Sequence, residues 1–280
     1  MRKTLLLLII ASLVVIGHSQ DFCVTFSTGK TLCFDITSAK TVKMAKGKTV
    51  ISRDGYWGPT YGYLLSGSLN IPETVTNNGV TYKVTEVGHL EKTNLTTVKI
   101  PNTVTRIRYN AFFKCKELTS VSLPNSLKTI EEGAFNGCTK LSSIKLPENL
   151  EELGRYNPFD ILLDNPGIFA ESGISSIIIP SNVKDMAFCA FYRCNNLTYA
   201  ELKEGATCLA NYAFFMCHRL RTVKLPISLL TYLKECYSDI GTKYDPFCDC
   251  PSLEKIIIPA STYQQFAEYL PKYKHLLVEE

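Results

Sequence analysis

The chain has 280 residues, 45% of them hydrophobic and 20% charged, with a formal net charge of +4. That mixture supplies a core and excludes global disorder. Arg2 and Lys3 fall in a segment expected to be removed, and the remaining +2 is too weak and too scattered to draw in nucleic acid.

Residues 1–19 read as a secretory signal peptide: Arg2 and Lys3, an apolar stretch from Leu5 to Ile16, then the small residues Gly17 and Ser19. The stretch is short for a membrane span. The Ser19-Gln20-Asp21-Phe22 that precedes Cys23 is not a lipoprotein cleavage context. No later segment could span a bilayer, so the chain is expected to be exported, secreted or held at a cell surface, with no transmembrane segment after cleavage.

Residues 20–67 form a separate unit, an N-terminal β-hairpin cap. Phe22–Phe26 and Thr31–Ile36 alternate as strands around a turn at Ser27-Thr28-Gly29, which places Cys23 opposite Cys33 as a possible disulfide. Trp57, alone in a Gly- and Tyr-rich stretch, reads as a packing plug. A degenerate first coil opens at Leu69-Asn70-Ile71-Pro72 and carries a small hairpin turned by Asn78-Gly79.

From there a repeat dominates residues 68–260. Its first residue falls at Leu95, Leu118, Leu141, Ile174, Leu197, Leu220 and Leu253, in steps of 23, 23, 33, 23, 23 and 33 residues. A fixed period of that size means stacked coils, each too small to bury a core alone. In Val98-Lys99-Ile100 the period of two sends positions four and six inward and position five outward. Proline at position seven ends each strand, with Lys203 the exception. A second aliphatic pair (Val104 and Ile107, Leu127 and Ile130, Val183 and Met186) supplies the opposite wall. Phe112, Phe135, Phe169, Phe191, Phe214 and Phe247 are expected to stack as an internal ladder. The fold class is therefore a repeat solenoid: a right-handed coil stack with a parallel sheet, mostly β with short helical or irregular turns. Residues 261–280 read as a C-terminal helix cap, with Ser261 as N-cap of a helix over Tyr263–Tyr269 and a last strand at His275–Val278. On that reading the chain is complete.

The motif Leu-x-x-Val-x-Ile-Pro-x-x-Val-x-x-Ile-x-x-x-Ala-Phe-x-x-Cys, clearest in residues 95–115, 118–138 and 174–194, resembles the BspA-like leucine-rich repeat family of exported bacterial and protist proteins. The resemblance implies a leucine-rich-repeat solenoid at the cell surface, and some members act as adhesins toward host proteins. It assigns no binding residue, because the shared motif is the core.

Eleven cysteines in an exported chain invite a disulfide framework. However, Cys115, Cys138, Cys194, Cys217 and Cys250 share one coil position, with Ser172 standing in where one coil is a residue shorter. They read as a buried thiol ladder behaving as small hydrophobes. Cys236 with Cys248 is the second disulfide candidate after Cys23 with Cys33. Cys248-Asp249-Cys250 lacks a nearby histidine, so no metal site is expected. His89, His218 and His275 are widely spaced, and no nucleophile elbow, zincin or phosphate-loop motif occurs, so neither an enzyme nor a cofactor is expected. Asn94-Leu95-Thr96 and Asn196-Leu197-Thr198 match glycosylation acceptors but also follow from the way a coil opens.

Binding is therefore sought on the outward positions three and five and on the two insertions. The outward residues are mostly Ser, Thr and Lys, including Lys145 and Lys224, as expected for a solvated face. Ile178, Tyr199 and Glu201 depart from that pattern, and Ile178 and Tyr199 are expected to be neighbours across adjacent coils. Both insertions, near Gly154–Gly167 and Lys234–Pro246, enter at one coil position and hence on one flank, roughly 14 Å apart. They carry Tyr156, Phe159, Asp160 and Asp164, and Tyr237, Asp239, Tyr244 and Asp245, all read as exposed. The function expected is non-catalytic, adhesion-like binding of a protein or glycoprotein by a monomer. A carbohydrate-binding or structural envelope role is the alternative.

Overall fold

A computed structural model describes residues 21–44, 65–154, 167–240 and 243–280. The signal-like segment 1–19, Trp57, Tyr156, Phe159, Asp160 and Asp164 lie outside the described residues, as do the side chains of Tyr237 and Asp239. In chain order the early strands are β1 (Asp21–Thr25), β2 (Thr31–Ser38), β3 (Thr41–Met44), β4 (Ser66–Asn70), β5 (Thr74–Asn77) and β6 (Val80–Val87). Then come β7 (Asn94–Lys99), β8 (Arg106–Ile107), β9 (Ser120–Ser122), β10 (Thr129–Ile130), β11 (Glu152–Leu153), β12 (Ser176–Ile179), β13 (Asp185–Met186), β14 (Tyr199–Leu202) and β15 (Thr222–Lys224). Helix α1 (Leu230–Ile240), β16 (Lys255–Ile258), helix α2 (Tyr263–Tyr269) and β17 (Leu277–Glu279) complete the order.

The 23-residue step becomes hydrogen-bond register. The outward strands pair in parallel as β4-β7-β9 and as β12-β14-β15-β16-β17. Thr97 faces Ser120 in the first sheet, and Ser176, Tyr199, Thr222 and Lys255 face one another in turn in the second. The coil at Leu141–Pro147 lies between these sheets and adopts no regular strand, although the Ser175 amide still donates to the Ser142 carbonyl at 3.0 Å. On the opposite wall the second aliphatic pair supplies two-residue strands, and Val87, Ile107, Ile130, Leu153 and Met186 run in register through β6, β8, β10, β11 and β13. The N-terminal hairpin joins this wall: β3 pairs with β6, and Phe22 packs on Phe34 and Tyr82.

Alternation decides the core. Val98 and Ile100 are almost fully buried while Lys99 is exposed. Between the walls the phenylalanines stack from Phe112 to Phe247, with centroid spacings of 5.0–5.8 Å and interplanar angles from 4° to 20°. Tyr273 meets the last ring edge-on at 85° and so covers the exposed face of the stack. Both 33-residue steps leave this register intact. The Phe135 amide donates to the Ile168 carbonyl at 2.8 Å and the Phe214 amide to the Pro246 carbonyl at 2.9 Å, so the ladder continues across both steps.

The thiol position has its own chemistry. Cys138, Cys194, Cys217 and Cys250 each donate to the carbonyl of the preceding coil's stacked phenylalanine at 3.0–3.2 Å, and Cys115 donates to the Leu90 carbonyl. A valine here would fill the space but leave that buried carbonyl unmet. Thr93 and Ser172 occupy the same position and bond to Cys115 and Cys194. The residue before each rung (Lys92, Lys114, Gly137, Glu171, Arg193, Met216 and Asp249) has a positive φ between 53° and 70°. Six of the seven carry a Cβ despite a cost of about 1–2 kcal/mol for a non-glycine residue in that conformation. The coil geometry imposes the turn whatever the residue.

Three expectations are corrected here. Ser261 is not the N-cap of α2: the cap position is Thr262, and Ser261 precedes it at a positive φ of 63°. Cys236 and Cys248 are not joined in a disulfide: Cys236 is carried on α1, beside Tyr232 and Cys208, while Cys248 belongs to the next coil's corner. The second insertion, read as wholly exposed, begins within helix α1, which packs against α2 with Leu233 buried and Leu229 buried just before it. Cys23 and Cys33 face each other across β1 and β2 and are bonded at 2.04 Å.

Candidate functional site

The outward face of the five-stranded sheet is where the unusual side chains collect. Strand register places them in rows crossing the strands at about 4.8 Å per step. One row reads Ser176, Tyr199, Thr222, Lys255, and the other Ile178, Glu201, Lys224, Ile257, Val278. Ile178 therefore faces Glu201, and Tyr199 faces Ser176; the Ile178–Tyr199 relation is diagonal. Ile178 remains 46% exposed and Val278 40%, against a general rule of Ser, Thr and Lys on this face. Lys145 is exposed at position five of the coil before Ile178, on the stretch without a regular strand.

Local chemistry orders the centre of this face. The Tyr199 hydroxyl donates to Glu201 Oε2 at 2.9 Å. Partial burial, reinforced by that carboxylate, pushes the phenol up to about 12, so it stays a donor throughout the physiological range. A shallow groove of about 290 Å³ runs beside the row, lined by Glu201, Lys203, Lys224, Pro226, Ile257 and Glu280 among others. Several of its charges are already engaged: Lys203 with Glu148 at 2.6 Å, and Glu280 with Lys255 at 3.4 Å. Glu204, also in the groove, accepts from the Ile227 and Ser228 amides at the start of the helical insertion.

The insertion aromatics behave differently from expectation. Tyr244 is buried, 4% exposed, and its hydroxyl donates to the Leu209 carbonyl at 2.6 Å. It is a packing residue and is withdrawn from the binding face. Asp245 is equally buried and accepts from Lys272 Nζ at 2.7 Å and from the Tyr273 hydroxyl, which ties the C-terminal segment to the last coil. These two residues follow a helix that must fold back onto the stack, so they are drawn inward.

One cluster escapes the sequence reading. Tyr192 stacks on Phe215 at 5.5 Å, and Tyr212 meets both Phe215 and Phe188 edge-on, with all four rings half-buried. The Arg193 guanidinium lies 5.0 Å from the Tyr192 ring centroid. The signal is present in Ala-Phe-Phe and Ala-Phe-Tyr, where a second aromatic follows the ladder phenylalanine, but the stronger ladder residue conceals it.

Three of the thiols are held far from the state a nucleophile needs. Burial pushes Cys189, Cys208 and Cys250 up to about 12, opposite to the depressed value an attacking thiolate needs. Among the described residues no group of three or more His, Cys, Asp or Glu side chains could hold a metal ion. Also among them, no helix is long and apolar enough to cross a membrane. The raised thiols carry a pH prediction. Unfolded thiols ionise near their ordinary 9.0, whereas these three keep their protons until about 12. Above pH 9 the native state then binds more protons than the unfolded one, so stability falls as pH rises from about 9 to 12. Urea midpoints should be level between pH 7 and 8 and decline between 9 and 11; a rising midpoint contradicts the assignment.

Solved structures that resemble this chain include leucine-rich repeat proteins. One from Bacteroides ovatus is 27% identical with a TM-score of 0.53, matching 69% of this chain and 45% of its own, so the chain spans under half of that relative's length. The leucine-rich repeat protein of T. pallidum is 22% identical with a TM-score of 0.51, over 76% of this chain and 94% of its own, a likeness of fold. No curated protein matches. The model of the BspA-type leucine-rich repeat region matches residues 83–159 and 165–270, in six copies. With the repeat register, the phenylalanine stack and that match in agreement, the chain belongs to the BspA-type leucine-rich repeat family.

Proposed function

We propose that the protein is an exported, monomeric solenoid, capped at residues 20–67 and 261–280, that binds a protein or glycoprotein at a cell surface without catalysis. Ile178, Tyr199, Glu201 and Lys224 form the centre of the binding face, with Lys145 at its border. The observation that carries this reading is the row from Ile178 to Val278, whose two apolar ends are exposed while Ile257 between them is buried, on a sheet whose other outward positions are polar. Exposed apolar side chains aligned on a rigid sheet favour a preformed interaction surface. The hairpin disulfide Cys23–Cys33 fits an oxidising compartment. Tyr156, Phe159 and Tyr237 join the proposal as aromatic residues of the two insertions.

Replacing Ile178 with Asp should weaken capture of purified extracellular glycoproteins about tenfold or more, as removal of a central apolar anchor does. The thermal midpoint should hold, because the residue is exposed. Unchanged capture by a folded Ile178→Asp protein refutes the face. The half-buried rings of Tyr192, Tyr212 and Phe215 favour a second reading, binding of the glycan itself. Loss of capture after deglycosylating the ligand, together with loss in Tyr192→Ala, would move the function to that flank.

A further inference from the structure

We infer that the outward row binds an amphipathic α-helix of the partner, laid across the strands and along the repeat axis, with a cation opposite Glu201 and a carboxylate opposite Lys224. The inference rests on the binding face proposed above and specifies its occupant.

Spacing supplies the first argument. From Ile178 through Glu201, Lys224 and Ile257 to Val278 there are four strand steps, or about 19 Å. On a helix, residues i, i+3, i+7, i+10 and i+14 lie on one stripe and span about 21 Å. An extended peptide presents one face every second residue, so five same-face side chains span about 27 Å. The helix stays within a couple of ångströms of the row along its length, whereas the extended chain is out of step by a whole residue before it reaches Val278.

Charge supplies the second argument. Elsewhere in the molecule, opposite charges on neighbouring coils close on each other: Lys128 with Glu151 at 2.5 Å, Lys140 with Glu117 at 2.7 Å and Arg106 with Glu131 at 2.8 Å. Glu201 and Lys224 also face each other in register, yet among the described residues no ion pair joins them. The Tyr199 hydroxyl engages Glu201 instead, and Lys224, in register with Ile257, helps line the groove. The row thus offers an exposed apolar end at Ile178, an anion, a cation, a recessed position at the buried Ile257 and a second exposed apolar end at Val278. A heptad-spaced helical stripe with apolar ends and two opposite charges between them complements it.

Groove size supplies the third. Its 290 Å³ is at or just below the roughly 300 Å³ where pockets begin to enclose a small molecule, but it suffices for side chains projecting from a rod above it.

The test uses hydrocarbon-stapled, fluorescein-labelled helices of about 18 residues. Each has Leu at the first, fourth and fifth stripe positions, and Lys-Glu, Lys-Lys or Glu-Glu at the second and third. Anisotropy titration against the folded wild-type protein should favour the Lys-Glu helix about fivefold over either like-charged helix, the discrimination expected of one partly exposed ion pair. An unstapled Lys-Glu peptide with a central proline should lose binding. Glu201→Lys should shift the preference to the Glu-Glu helix, with its denaturation midpoint reported alongside. Equal affinity for the three helices, or undiminished binding of the proline peptide, overturns the inference. If Ile178→Asp abolishes glycoprotein capture while no stapled helix binds, the face stands and its helical occupant falls.

Discussion

Replacing Phe191 with Ala is expected to cost about 3–5 kcal/mol of stability, among the largest effects of any single truncation in this chain. Phe191 is fully buried between Phe169 at 5.5 Å and Phe214 at 5.0 Å, near-parallel to both. Truncation removes both stacks and leaves a void that the flanking coils cannot collapse into, because their spacing is held by backbone bonds. The Phe191 amide donates to the Ala213 carbonyl and the Phe169 amide to the Ala190 carbonyl, each at 2.8 Å. In a stack stabilised through nearest neighbours, one weak interface can also uncouple the two halves. Urea unfolding of Phe191→Ala should therefore show a lower midpoint and a shallower or split transition, with Phe191→Leu intermediate because it fills most of the void but loses both stacks. A loss below about 1.5 kcal/mol with an unchanged slope would show that the ring stack is dispensable.

Gly173→Ala should be of similar severity for a different reason. The coil that precedes Ile174 is one residue short, so the chain passes directly from Ser172 through Gly173 into the next strand. Its amide donates across to the Cys138 carbonyl at 3.1 Å, and an added Cβ would lie 2.2 Å from the Thr139 carbonyl oxygen. Backbone cannot give way as a flexible side chain would, so the coil must separate from its neighbour. We expect a loss of about 3 kcal/mol or more and poor soluble yield. Gly67→Ala is the control, since an added Cβ there meets nothing within 4 Å and only its positive φ of 68° is penalised. Equal stability of Gly173→Ala and wild type would contradict the close approach.

The core is legible in the sequence because it obeys a period. Leu, Pro, Phe and Cys recur at fixed positions, and each recurrence becomes a row of contacts. What departs from the period is harder to read. Leu233 and Cys236 in α1 continue a helical spacing from Leu229 just before it, yet the Tyr and Asp around them read equally well as exposed decoration. Tyr244 and Asp245 look solvent-directed in composition, and only the return of the chain from α1 onto the stack buries them. The binding row is half-legible: Ile178 stands out at an outward position, but its partner in register is Glu201, and only strand pairing reveals that Lys224, Ile257 and Val278 continue the line. The outer aromatics at Tyr192 and Phe215 are spelled out in the chain but adjoin residues with a stronger pattern.

The rungs that donate from each thiol to the previous coil's carbonyl have a consequence for the order of folding. In an oxidising compartment an unfolded chain exposes every one of its thiols to disulfide exchange, which proceeds over seconds to hours. The rung bonds join residues only 25–36 positions apart, so each can close as soon as two successive coils meet. Topology that local folds quickly. The hairpin bridge spans still less chain, a separation of 10. Folding coil by coil therefore shields the ladder thiols before exchange can scramble them, and slowing any one coil would expose the thiols of that coil to mispairing.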